Sequence, residues 1–236
     1  MSIQTELTRL TNAKAAIQTA IERKGVTVPD GTLLDGMVAL IESIEAGGGG
    51  GGATEPYIEE VIDDNGNLTN ATFYGHTIIR NYAFYNCLKL ASTSFPSGIT
   101  SIGNSAFYGC SELTLTNLPL GLTSIGYNAF YNCSKLALTS LPSRLTNIGS
   151  QAFYNCSGLA LTSLPSGITS IGTDAFYRCL GLASLTFKGK PESISSSAFS
   201  GCTNLTTINV PWGQGAVANA PWGAKNATIH YNYKGA

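Results

Sequence analysis

Four sets of side chains in this sequence have a type and spacing that can do chemistry. Cysteine recurs every 23 residues, at Cys87, Cys110, Cys133, Cys156, Cys179 and Cys202. Six cysteines invite disulfides or a zinc site, but the spacing opposes both. Each thiol holds the same place in its unit, so the six form a column and do not converge on a point. No C-x-x-C pair exists, and the two histidines, His76 and His230, stand outside the column. The expected role is a reduced, buried thiol packed beneath a row of phenylalanines. Tyrosine makes a second column at Tyr85, Tyr108, Tyr131, Tyr154 and Tyr177. Hydroxyls make a third at Thr116, Thr139 and Thr162, beside Asn117, Ser140 and Ser163. The fourth set is the indole pair Trp212 and Trp222, each in a Pro-Trp-Gly motif. Aromatic faces and repeated hydroxyls suit a polysaccharide, because stacked strands about 4.8 Å apart step at close to a sugar-ring dimension. The structural alternative is that tyrosine packs on the next turn and tryptophan covers an open end.

Catalysis finds no such support. A nucleophile needs a base within reach, and neither histidine has a partner pattern. Glu112, Asp174 and Glu192 are too few and unmatched for a paired-carboxylate glycosidase. No enzyme activity, metal or cofactor is expected. With a net charge of −1, nothing favours nucleic acid. No apolar run approaches the ~20 residues of a membrane helix, so no membrane insertion is expected. The start, MSIQTELTRL, lacks the basic and apolar regions of a signal peptide.

The columns require a repeating scaffold. Phenylalanine falls at Phe84, Phe107, Phe130, Phe153, Phe176 and Phe199, each preceded by alanine. Leucine follows each cysteine at Leu90, Leu113, Leu136, Leu159, Leu182 and Leu205, and isoleucine recurs from Ile79 to Ile194. A fixed period of this length without insertion predicts a solenoid, one similar turn of chain per unit. Residues 113–118, 136–141 and 159–164 read as short strands that Pro119, Pro142 and Pro165 end. A second short strand is expected over 122–125, 145–148 and 168–171. Gly103, Gly126, Gly149 and Gly172 then turn the chain, with Asn104, Ser150 and Thr173 capping a short helical turn that carries Ala-Phe-Tyr. In the last two units the inner positions shift to Leu185 and Phe187, and to Ile208 and Val210.

Five regions follow from the pattern. Residues 1–46 read as a helical oligomerisation or anchor module. Its a/d seam is Ile3, Leu7, Leu10, Ile17 and Ile21, interrupted by Lys14, and a second helix follows over about 32–45. The alternatives are a hairpin folded on itself or a seam shared between chains, as a trimer or dimer with the trimer favoured. Residues 47–54 are a glycine-rich linker. Residues 55–79 read as an N-terminal cap built on a hairpin with Asp64-Asn65-Gly66-Asn67 at its turn. Its acidic group Glu59, Glu60, Asp63 and Asp64 suits either calcium or a solvated edge that discourages pairing. Residues 80–217 hold the six repeats, and 218–236 a C-terminal cap.

Units such as LTSIGYNAFYNCSKLALTSLP resemble the BspA-type leucine-rich repeat across about residues 79–211. That resemblance implies a right-handed solenoid of the kind found in microbial surface and adhesion proteins. Residues 15–44, AAIQTAIERKGVTVPDGTLLDGMVALIESI, are similar to the start of minor tail proteins of phages infecting Gram-positive gut bacteria. Residues 210–233, VPWGQGAVANAPWGAKNATIHYNY, resemble the close of such proteins. These resemblances imply a virion tail component that attaches to a bacterial surface glycan or protein receptor, alongside other tail proteins. A non-binding structural tail component and a bacterial adhesin at the cell surface are the alternatives.

Overall fold

A computed structural model describes residues 57–234, within the compact unit Pro56–Ala236. The chain enters as an antiparallel pair, β1 (Tyr57–Ile62) and β2 (Leu68–Tyr74), with a bulge between Val61 and Ile62. The Asp63 carboxylate closes the turn between them. It accepts the backbone N–H of Asn65 at 2.9 Å and of Asn67 at 2.8 Å, and both its oxygens accept from the Asn67 amide. Those bonds, the Asn67 side chain first, hold the carboxyl below its usual range.

From there the chain winds as parallel coils. One face is a six-stranded sheet of two-residue strands: β3 (Ile78–Ile79), β5 (Ser101–Ile102), β6 (Ser124–Ile125), β7 (Asn147–Ile148), β9 (Ser170–Ile171) and β11 (Ser193–Ile194). Each pairs in parallel with its neighbour, isoleucine to isoleucine. The second residue of each strand, Ile79 through Ile194, is buried, while the residue before it is exposed or half-buried, the period-two rule repeated in every coil. On a second face β4 (Ser92–Ser94) pairs with β2. Further along, β8 (Ser163–Leu164), β10 (Ser184–Phe187), β12 (Thr207–Asn209) and β13 (Thr228–His230) form a four-stranded parallel sheet.

The expected fold class needs correction. It combined the leucine-rich solenoid with a helical N-terminal module and short helical turns, yet no helix exists among the described residues. The module over 1–46, its seam Ile3, Leu7, Leu10, Ile17 and Ile21, and the linker over 47–54 lie outside the described residues. The fold class of the described residues is a parallel β-solenoid. In the Ala-Phe-Tyr turns the physical reason is visible. Two residues four apart adopt positive φ in successive coils: Ser105 and Gly109, Asn128 and Asn132, Gln151 and Asn155, Asp174 and Arg178. An α-helix cannot pass through such residues. The backbone N–H groups also point to the next coil: those of Phe107, Phe130, Phe153 and Phe176 each reach the following coil's alanine carbonyl at 2.8 Å.

Of the three strands expected over 113–118, 136–141 and 159–164, only Ser163–Leu164 pairs as one. Two exposed residues separate Leu115 from Leu118, and Leu138 from Leu141, which breaks the alternation a ladder needs. Where the spacing tightens to Leu185 and Phe187, a four-residue strand forms. Proline does end each segment: the N–H groups of Ile99, Leu122, Leu145 and Ile168 return to the carbonyls of Pro96, Pro119, Pro142 and Pro165.

Phenylalanine fills the interior. The six rings from Phe84 to Phe199 stack with centroids 5.1 to 5.4 Å apart. Phe73 closes the N-terminal end edge-on at 5.5 Å, and Phe187 meets Phe199 edge-on at the other end. The thiols lie against this stack as free cysteines. The S–H groups of Cys110, Cys133, Cys156 and Cys179 donate at 3.0 Å to the carbonyls of Phe84, Phe107, Phe130 and Phe153. Cys202 reaches the Phe176 carbonyl at 2.9 Å.

The glycine row has a different duty from the one expected. Gly103, Gly126, Gly149 and Gly172 are absent from the positive-φ residues among those described. They permit close approach of coils instead. A Cβ on Gly149 would stand 2.7 Å from the Gly126 carbonyl carbon, with backbone on every near side. Gly149→Ala must therefore push neighbouring coils apart. The expected loss is about 1–3 kcal/mol, read as a lower urea midpoint; an unchanged midpoint contradicts the close-approach account.

Candidate functional site

The tyrosine column is a regular feature with edges in solvent, repeated in five successive coils. The residue after each tyrosine of the column, Asn86, Gly109, Asn132, Asn155 or Arg178, has positive φ, so each ring leaves the same backbone turn. Tyr85, Tyr108, Tyr131, Tyr154 and Tyr177 stack at 4.8, 4.7, 4.5 and 4.5 Å, with planes within 16° of parallel. Tyr85 is exposed, and Tyr108, Tyr131, Tyr154 and Tyr177 are half-buried. Both faces of each inner ring are covered by neighbours, so solvent meets ring edges and hydroxyls. Burial raises the Tyr131 phenol, and the adjoining Tyr154 and Tyr108 raise it further. The column presents phenol hydroxyls, a group able to donate and accept, once per coil.

Thr116, Thr139 and Thr162 are exposed on the leucine-rich segment of their coils. The Asn117 amide donates to the Thr116 hydroxyl at 3.3 Å. Among the described residues no hydrogen bond or ring contact joins this column to the tyrosines. Another threonine row, Thr100, Thr123, Thr146 and Thr169, is engaged internally: each hydroxyl donates to the carbonyl of the threonine one coil back, at 2.9 to 3.1 Å.

The indoles sit in the interior of the C-terminal end. Trp222 is fully buried and Trp212 is 7% exposed. They pack on Phe187 at 5.8 and 5.3 Å and on each other at 6.5 Å. The Trp222 N–H donates to the Ala218 carbonyl at 2.7 Å. Their faces close the last coil, so they contribute packing area at this end rather than a surface platform.

No group of three or more His, Cys, Asp or Glu side chains that could hold a metal ion occurs among the described residues. Glu112 pairs with Lys135 at 2.7 Å on the surface. One feature escaped the sequence reading: a cleft of about 350 Å³ beyond the last tyrosine, bordered by Tyr177, Ser200, Thr203, Lys225 and Asn226. Its signal was the interruption of the tyrosine column at Ser200.

Residues 77–212 match the family described as the BspA type leucine rich repeat region, in six copies. Among solved structures, the chain is similar to a leucine-rich repeat protein from Bacteroides ovatus, with 26% identity and a TM-score of 0.50. That match covers 64% of this chain and 45% of the other. A leucine-rich repeat protein of T. pallidum matches at 28% identity and a TM-score of 0.51, over 65% of this chain and 81% of that one. The pneumococcal vaccine antigen PcpA shares the fold at 19% identity and a TM-score of 0.50, over 70% of this chain and 42% of that one. The chain thus spans less than half the length of the Bacteroides ovatus and pneumococcal proteins. No curated protein matches the chain.

Proposed function

We propose that this chain, which belongs to the BspA-type leucine-rich repeat family, is a non-enzymatic attachment module that binds a bacterial surface glycan. The observation that carries the proposal is the tyrosine column. Its stacked rings keep their edges in solvent, while the phenylalanines from Phe84 to Phe199 are all buried. A row of phenols whose ring centroids step at 4.5 to 4.8 Å suits a polymer whose own hydroxyls recur at a similar step. Thr116, Thr139 and Thr162 offer a second such row.

A setting on a phage tail among other tail proteins belongs to the proposal, supported only by the likeness of residues 15–44 and 210–233. The second reading, a bacterial surface adhesin, is favoured by the family of the repeat. Assembly into a homo-oligomer multiplies weak contacts, and the solution mass of the full chain reads it directly.

Tyr131→Phe combined with Tyr154→Phe keeps both rings and removes two hydroxyls. On a panel of bacterial capsular and cell-wall polysaccharides, the wild-type full chain is expected to bind at least one member. The double variant is expected to bind it about thirtyfold more weakly, from roughly 1 kcal/mol for each of the two hydrogen bonds lost. Absence of binding to every member, or equal binding by both proteins, contradicts the proposal.

A further inference from the structure

The tyrosine column ends in two steps. One coil beyond Tyr177 the equivalent position is Ser200, and one coil beyond that it is Gly223. The stacking continues through the smaller residues, since a Cβ on Gly223 would stand 2.9 Å from the Ser200 backbone nitrogen. One face of Tyr177 lies on Tyr154 at 4.5 Å. Its other face looks toward a coil with no ring at the equivalent position, Ser200, and the cleft of about 350 Å³ opens there.

The groups bordering the cleft have a consistent character. Asn226 donates one amide hydrogen to the Thr203 carbonyl at 2.9 Å, leaving its oxygen and second hydrogen for a ligand. Ser200 and Thr203 bring hydroxyls. Lys225 is exposed in the rim, and Arg178 runs close by, its Cγ 2.8 Å from where a Gly201 Cβ would stand. No carboxylate borders the cleft. Neither cation is in a salt bridge among the described residues, where the ion pair is Lys135 with Glu112.

We propose that this cleft binds one anionic pyranose, a sugar of the uronic-acid type, seated on the free face of Tyr177 as the next ring of the stack. The apolar face of the sugar covers the phenol ring, its hydroxyls meet Asn226 and Ser200, and its carboxylate faces Lys225. The inference deepens the proposed function and rests on the same tyrosine column as a ligand surface, while naming the ligand class and the place where a chain end or branch is held.

The test titrates the full chain with methyl β-D-glucuronide and with methyl β-D-glucoside, followed by amide and tyrosine-ring chemical shifts. Saturable glucuronide binding is expected, roughly millimolar for so small a ligand. The neutral glucoside is expected to bind several-fold more weakly. Ser200→Tyr supplies the missing sixth ring and should abolish glucuronide binding. Lys225→Gln, an exposed change that leaves packing intact, should erase the preference for the glucuronide. Failure of the glucuronide to bind, or equal binding by the Ser200→Tyr and wild-type proteins, overturns the inference; if Ser200→Tyr does not fold, an unchanged preference in Lys225→Gln overturns it. Polysaccharide binding by the same proteins separates the two readings. Polysaccharide bound equally with and without Ser200→Tyr leaves the column standing and overturns the cleft. Glucuronide bound and lost in Ser200→Tyr, with no polysaccharide bound, sustains the cleft and overturns the column as a polymer surface.

Discussion

Above about pH 9 the protein is expected to lose stability steeply and unfold, under reducing conditions, well before its peptide bonds are at risk. Burial is the first cause of the raised thiols. Cys110 is pushed up to about 12 and Cys202 to about 11, and Cys133, Cys156 and Cys179 stand well above the ordinary value of 9.0. Below that ordinary value both folded and unfolded chains hold these protons, and the stabilisation is fully present. As pH rises from there toward the folded values, the unfolded chain releases protons that the folded one keeps, so stability falls. Each thiol contributes about 1.4 kcal/mol per pH unit, and five together on the order of 7 kcal/mol per unit. That exceeds much of the ~5–15 kcal/mol typical of a domain within one to two units. Urea midpoints measured from pH 8 upward check the slope. Replacing Cys133, Cys156 and Cys179 by alanine should flatten it by at least about half, since three of the six raised thiols, the most deeply buried ones, are gone. An unflattened slope means that other groups drive the alkaline loss.

Phe153→Ala is expected to be the most damaging single truncation of those considered. The ring is fully buried and stacks at 5.4 Å on Phe130 on one side and Phe176 on the other. Removing it opens a cavity at mid-stack, where the coils above and below are themselves held in place. The cost is about 3–5 kcal/mol. In a solenoid stability is carried by contacts between nearest neighbours, so the break also uncouples the two halves. The urea transition should therefore move to lower denaturant and become shallower. A shift worth less than about 1 kcal/mol at unchanged slope would show that the neighbours collapse into the gap.

Much of this architecture was legible because a coil repeats its burial. Phe, Cys, Leu and Ile return at one spacing, and the structure stacks each type in its own row. The antiparallel N-terminal pair was readable too, from two apolar runs about a turn of Asp, Asn and Gly. The Ala-Phe-Tyr turn misled because its residues have good helical credentials. The contrary signal was Asn or Gly after four of the five tyrosines, at Asn86, Gly109, Asn132 and Asn155, residue types that tolerate positive φ; Arg178 adopts it without that signal. The strand expected at residues 113–118 misled because Leu-Thr-Leu-Thr alternates for four residues and then slips. The glycine row was read as a turn, whereas its cause is the neighbouring coil, which no local pattern displays. Of the candidate site, the tyrosine and threonine columns were visible as periodic positions. That the inner tyrosine faces are covered depends on coil spacing, and so does the free face of Tyr177. The indoles gave no surface signal that distinguishes a platform from a plug; their contact with Phe187 is a matter of packing between coils.

The most direct test of the attachment account labels the tyrosine ring carbons of the full chain and titrates it with a bacterial surface polysaccharide that it binds. The account predicts saturable shifts at Tyr108, Tyr131, Tyr154 and Tyr177, with Tyr231 in the C-terminal end unmoved. Saturable binding that leaves those four rings unshifted would contradict it and place the binding surface elsewhere on the solenoid.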